Sequence, residues 1–161
     1  MSRSTSGPLP SRNEGTAKRA IIDFVRRVTT DDSRDFVPEN ERIAVFDNDG
    51  TPVLQHHAAL DFFDDKAGRP VAINTYIGRR PILCVGNSDG DHEMLMWTTL
   101  GGPDGLPSLG VIVHHTDGDR EFAYDRQRVP SGQLDEGLDE APRFGWVLAD
   151  MKQDWNKVFP T

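Results

Sequence analysis

Two short stretches hold most of the residues that could carry chemistry, Asp47-Asn48-Asp49-Gly50-Thr51 and Asn87-Ser88-Asp89-Gly90-Asp91. Carboxylates that close together repel one another and shift each other's pKa values unless a cation sits among them. The donors are all oxygen, which favours a hard cation, Mg²⁺ before Ca²⁺ or Zn²⁺. Neither stretch has Asp at positions one and five with Gly at six, so an EF-hand is excluded. The structural alternative for either stretch alone is a turn or helix cap, where Asp, Asn and Gly are ordinary.

What places the two stretches together is the pattern around them. Arg42-Ile-Ala-Val-Phe46 and Pro81-Ile-Leu-Cys-Val85 are short apolar runs that stop at the acidic residues, the look of buried parallel strands. Ligands bind beyond the carboxyl ends of such strands, and neighbouring strands lie ~4.8 Å apart. If these two are neighbours, their acidic loops converge. Ala17, Ala20, Ile21, Phe24, Val25 and Val28 recur at helical spacing and predict a helix over 16–28. Gly68-Arg-Pro70 opens a second helix, with Pro70 in its first turn and Gly78 as its stop. A third helix is predicted from His92 to Leu100, and a third strand from Leu109 to Val113, ending at His114-His115. A helix around Leu134, Leu138 and Ala141, a strand Trp146–Ala149 and a last helix Met151–Phe159 complete the pattern. Strands alternating with helices predict a parallel α/β sheet.

The chain of 161 residues has room for one domain, read as a flexible Ser/Gly/Pro-rich lead-in over 1–15 and a single core domain over 16–161. Its 26 acidic and 18 basic residues leave a net charge of −8, which argues against nucleic acid as a partner. One small phosphate held by a cation and a few basic groups remains compatible with that charge. A single Cys excludes an internal disulfide and any multi-Cys zinc site. No stretch approaches the ~20 apolar residues of a membrane span, so no membrane partner is expected. The polar first residues lack the apolar run of a signal peptide, so a cytoplasmic location is the expectation.

The order of residues in the first stretch makes the reading specific. Val45-Phe-Asp47-Asn-Asp49-Gly-Thr51 resembles the first motif of the haloacid dehalogenase superfamily of phosphohydrolases, in which an apolar strand delivers Asp-x-Asp-Gly-Thr. Gly86-Asn-Ser-Asp-Gly-Asp-His-Glu-Met-Leu95 is similar to the fourth motif of its phosphoserine-phosphatase-like members. The likeness takes in 17–51 and 63–159, including Ile77-Gly-Arg-Arg-Pro81 and His114-His115. It implies a reduced, doubly wound, Rossmann-like sheet flanked by helices, and hydrolysis of a small phosphate monoester. In that resemblance Asp47 is the nucleophile that forms an aspartyl-phosphate, and Asp49 the acid and base. Thr51, Lys66 and Arg69 are the phosphate-binding candidates. Asp47, Asp49, Asn87, Asp89 and Asp91 are the candidate ligands of Mg²⁺, which would offset repulsion between nucleophile and phosphate.

The sequence departs from the family pattern in four places. Asn87 stands where the fourth motif usually has Asp. The second motif, a Ser or Thr ending its own strand, has no match between Thr51 and Phe62. Arg69 occupies the place expected for the third-motif Lys, with Lys66 as the spare candidate. Nine residues, 52–60, stand where a helical cap usually follows the first motif, so no cap domain is expected. A lidless site is wetter and electrostatically weaker unless a second subunit of a homo-oligomer covers it. Two functions therefore stay open: a Mg²⁺-dependent phosphohydrolase, and a catalytically degenerate remnant that binds metal, phosphate or protein.

The remaining reactive residue types have simpler readings. His56-His57 and His114-His115 are adjacent pairs whose side chains face opposite ways on a strand, and are read as solvated or packing residues. Cys84, inside an apolar strand, is read as an inert core thiol. Trp97, Trp146 and Trp155 are read as core or subunit contacts, and Asp117–Asp125 with Arg120, Arg126 and Arg128 as a solvated face.

Overall fold

A computed structural model describes residue 9 and residues 12–46, 64–100, 105–129 and 132–158. Among them, β1 (Ala44–Phe46), β2 (Leu83–Gly86), β3 (Leu109–His114) and β4 (Val147–Asp150) form one all-parallel sheet in the order β1-β2-β3-β4. The helices are α1 (Thr16–Thr29), α2 (Gly68–Ile77), α3 (His92–Thr99), α4 (Glu136–Phe144) and the single turn α5 (Met151–Asp154). The parallel α/β expectation is met, and β1 and β2 are neighbours.

Each strand is added on the same side of the one before it. Right-handed crossovers then place the connecting helices on one face, and α2, α3 and α4 do pack together there. Val45, Ile73, Cys84, Met94, Leu95, Ile112 and Ala141 belong to the core on that side. The alternation of strand residues sends Leu83, Val85, Leu109, Val111, Val147 and Ala149 to the opposite face, against Ala17 and Ile21 of α1. Farther along α1, Phe24 and Val28 close on Val37 and Ile82. Helices thus flank both faces. The described strands follow sequence order, and the reversal that a doubly wound sheet requires is not among them. β1 is an end strand of the described sheet, with Phe46 63% exposed.

Local chemistry explains where elements stop. Gly78 and Gly145 end α2 and α4 with φ of 73° and 70°, left-handed values that cost glycine little. Gly110 of β3 has another role, since a Cβ there would lie 2.6 Å from Cδ1 of Trp146. Its absence lets the indole cross the strand and donate to Thr99 Oγ1 at 2.8 Å. Trp146 and Cys84 are both core residues, as expected.

The last helix is shorter than the periodicity suggests. The Asp150 side chain accepts from the backbone N–H groups of Lys152 and Gln153 and starts α5, but the helix ends at Asp154. Trp155 is extended because its backbone bridges to Arg12, whose guanidinium stacks 4.3 Å from the indole centroid. No described helix is long and apolar enough to cross a membrane.

Ile112 is 1% exposed and sits in the larger core cluster. We expect Ile112→Ala to lower stability by about 2–5 kcal/mol in urea unfolding, the cost of lost burial plus a cavity.

Candidate functional site

The carboxyl ends of β1 and β2 are held side by side, with Phe46 paired to Val85. Asp47, Asp49 and Thr51 follow Phe46 in the chain and lie outside the described residues, as do His56 and His57. The second acidic stretch is described in full. It leaves β2 at Gly86, makes a single 3₁₀ turn over Asp89–Asp91 and enters α3.

Asp91 organises this loop. Its side chain is completely buried, and Oδ2 accepts from Asn87 N–H at 2.9 Å, Ser88 N–H at 3.0 Å and Ser88 Oγ at 3.3 Å. Its Oδ1 lies 3.3 Å from Arg69 Nη1, on the first turn of α2. The close approach needs glycine at position 86, where a Cβ would come within 2.4 Å of the Asp91 Cβ. Asp89 faces the other way. Its carboxylate accepts from the N–H of Asp135 at 3.0 Å and of Gly137 at 3.1 Å, which are N-terminal amides of α4. Asp135 makes no side-chain cap bond of its own and pairs instead with Arg126 at 2.5 Å. A distant residue thus caps α4.

Beside the loop lies an open cleft of about 450 Å³. The expected phosphate-binding residues Lys66 and Arg69 line it, together with Ser88 and Asp89. Lys66 is held there by its backbone, at φ 48°, with its N–H bonded to Gly90 O at 3.1 Å. The Asp91 contact takes one side of the Arg69 guanidinium, which leaves Lys66 the more available of the two third-motif candidates. Arg128, read from sequence as part of a solvated face, also lines the cleft. Arg120 and Arg126 are instead tied down by Asp117 and by Asp135 and Asp139.

Comparison with known proteins finds no family model that matches the chain and no curated protein that matches it.

Among the described residues, no three His, Cys, Asp or Glu side chains converge as a metal-binding group. The oxygen donors of the second stretch suit a hard cation in type. In position, however, Asp89 is turned to α4 and Asp91 to its own loop and Arg69. Asn87 gives its backbone N–H to Asp91 and lies with its side chain 3.5 Å from His115 Nε2.

The histidine pair, read from sequence as solvated or packing residues, packs against and pairs with the loop after β3. His115 Nδ1 lies 2.6 Å from Oε2 of Glu121, and its ring stacks on Tyr124 with centroids 4.9 Å apart. Tyr124 in turn donates its hydroxyl hydrogen to Asn87 O at 2.8 Å. His114 lies 3.4 Å from Asp125. Nothing in the sequence spacing of these residues announces the arrangement, because it depends on how the loop after β3 folds back. Asp117 starts that fold. It is buried, and the Arg120 guanidinium that hydrogen-bonds it holds its carboxyl below the usual value of 3.8.

Two predictions follow from these contacts. Asp89→Ala is expected to lower stability by about 1–2 kcal/mol through loss of the α4 cap, with Asp89→Asn costing less, in urea unfolding without added metal. For Asp117 the folded pKa is depressed, so its contribution is present above pH ~4 and is lost as pH falls through the lower folded value. Asp117→Asn is therefore expected to flatten the acid limb of the stability–pH curve, as read by urea unfolding from pH 5 to pH 2.

Proposed function

We propose that this chain is a Mg²⁺-dependent phosphohydrolase of the haloacid dehalogenase type, with a reduced, Rossmann-like core. The observation that carries the reading is the pairing of Phe46 with Val85. It brings the strand that precedes Asp47-Asn-Asp49-Gly-Thr51 beside the strand that precedes Asn87-Ser-Asp89-Gly-Asp91, with Lys66 and Arg69 lining the cleft by the second loop. Ligands of open parallel sheets bind at that end.

In this proposal a carboxylate oxygen of Asp47 attacks phosphorus, and the bond from phosphorus to the ester oxygen breaks. Asp49 gives its proton to the leaving alkoxide. It then takes a proton from the water that attacks phosphorus and frees Asp47. Lys66 faces the phosphoryl oxygens from the cleft, and Thr51 binds phosphate from the first stretch. Arg69 contributes charge while anchored to Asp91. Bound Mg²⁺, with Asp47, the backbone carbonyl of Asp49 and Asn87 as its candidate ligands, would supply charge that offsets repulsion between two anions.

A second reading is a remnant of that family that binds metal, phosphate or protein without turnover. It is favoured by the engagement of both Asp89 and Asp91 in the fold. Hydrolysis of an aryl phosphate distinguishes the two. The enzymatic reading expects turnover that requires Mg²⁺ and falls on the order of 10³-fold or more in Asp47→Asn. Turnover that is absent, or unmoved by Mg²⁺ withdrawal and by the substitution, leaves the remnant.

A further inference from the structure

Lys66 and Leu9 are the described non-glycine residues with a left-handed backbone, Lys66 at φ 48°. Side chains other than those of Asn and Asp rarely enter that region, because Cβ crowds the following carbonyl. A turn that needed only the conformation would be served better by glycine. Strain of this kind persists where the surroundings over-determine it, and it collects where one side chain is wanted in one place.

The surroundings of Lys66 do over-determine it. Its N–H donates to Gly90 O at 3.1 Å, which ties it to the 3₁₀ turn of the second acidic stretch. Gly68 N–H donates to Asp65 O at 2.9 Å and Arg69 N–H to Lys66 O at 3.0 Å, so α2 begins at once and leaves the turn no slack. Asp65 meanwhile lies against Gly90, where a Cβ would come 2.6 Å from Asp65 Oδ1 and 3.3 Å from Ser88 Oγ. Gly90 is not itself left-handed. Its contribution is therefore the missing Cβ, which lets the Asp65-Lys66 turn sit down on the loop. Asp65, Lys66 and Gly90 all line the cleft, and the Lys66 side chain is exposed there.

We infer that Gly90 is a positioning residue for Lys66: it seats the strained turn on the loop, and the turn keeps the Lys66 ammonium in the cleft for an oxyanion of the phosphate class. The inference rests on the proposed phosphate site for the identity of that anion. It involves neither a metal ion nor residues 47–51.

The test uses the full chain without added metal, with inorganic phosphate as the probe in an NMR titration and urea unfolding as the second readout. Lys66→Ala keeps the strain and removes the ammonium, and is expected to weaken phosphate binding about tenfold. Lys66→Gly is expected to weaken it as much and yet to unfold at a higher urea concentration than Lys66→Ala, because glycine relieves the strain. Gly90→Ala leaves the Lys66 ammonium in the chain and crowds its seat, and is expected to weaken binding by roughly threefold or more, whereas in an Asp65→Ala background the same change costs less than about twofold. A Gly90→Ala chain that binds like the parent, or an equal loss with and without Asp65, would overturn the inference. So would a Lys66→Gly chain no more stable than Lys66→Ala, a comparison that holds even where Gly90→Ala does not fold. Phosphate that binds the parent no better than Lys66→Ala also overturns it, and leaves the phosphohydrolase reading to be decided separately by aryl phosphate turnover and Asp47→Asn.

Discussion

A single buried carboxylate governs the described end of the sheet. Asp91 has no exposed surface, and burying a charge without partners costs several kcal/mol. The loop between β2 and α3 is shaped to meet that demand. Two backbone amides, one hydroxyl and one guanidinium surround the carboxylate, and Gly86 gives up its Cβ so that the side chain fits. Removing any one of these partners leaves charge unmet, so the loop has little freedom to adopt another course. Arg69 belongs to α2, and the same contact therefore fixes how that helix meets the end of β2.

The loop reaches outward from there. Asp89, two residues before Asp91, caps α4, and its N–H donates to Gln133 O at 2.8 Å. Asn87, on the other side, takes the Tyr124 hydroxyl on its carbonyl. Five consecutive residues thus touch α2, α4 and the loop after β3, which are the elements that enclose the cleft. An acidic stretch that reads as a set of ligands is in large part the joint of the domain. This assigns much of its charge to folding.

The elements were legible from sequence because their signals are local. Apolar runs gave the strands, the 3.6-residue spacing of Ala17, Phe24 and Val28 gave α1, and Gly78 marked the end of α2 where it occurs. The matching acidic ends raised the adjacency of β1 and β2 as a condition, which the sheet meets. What escaped was decided by partners far away in sequence. The task of Asp89 depends on amides 46 and 48 positions later, and the contact of Asn87 with His115 spans 28. The pair His114-His115 reads as solvated or packing, but its partners Glu121 and Tyr124 were not legible, because strand alternation says nothing about them. Trp155 broke the expected last helix through Arg12, nearly the whole chain away.

The net charge of −8 acquires a more definite meaning in the cleft. Asp65, Asp89, Glu93, Asp135 and Glu136 line it along with Lys66, Arg69 and Arg128. Some of these charges cancel in place: Arg69 against Asp91, Asp135 against Arg126, and Asp89 against the N-terminal amides of α4. Lys66 and Arg128 then face Asp65, Glu93 and Glu136, so the balance is close to even and slightly negative. A phosphate dianion entering such a cleft gains little from its walls, since at an effective dielectric of 20 each unit charge 4 Å away contributes about 4 kcal/mol per unit of phosphate charge, of either sign. Extra positive charge is what would tip the balance, and an oxygen-rich site beside the cleft is where a cation would supply it. An acidic composition and the proposed phosphorylated substrate would be reconciled by such a cation.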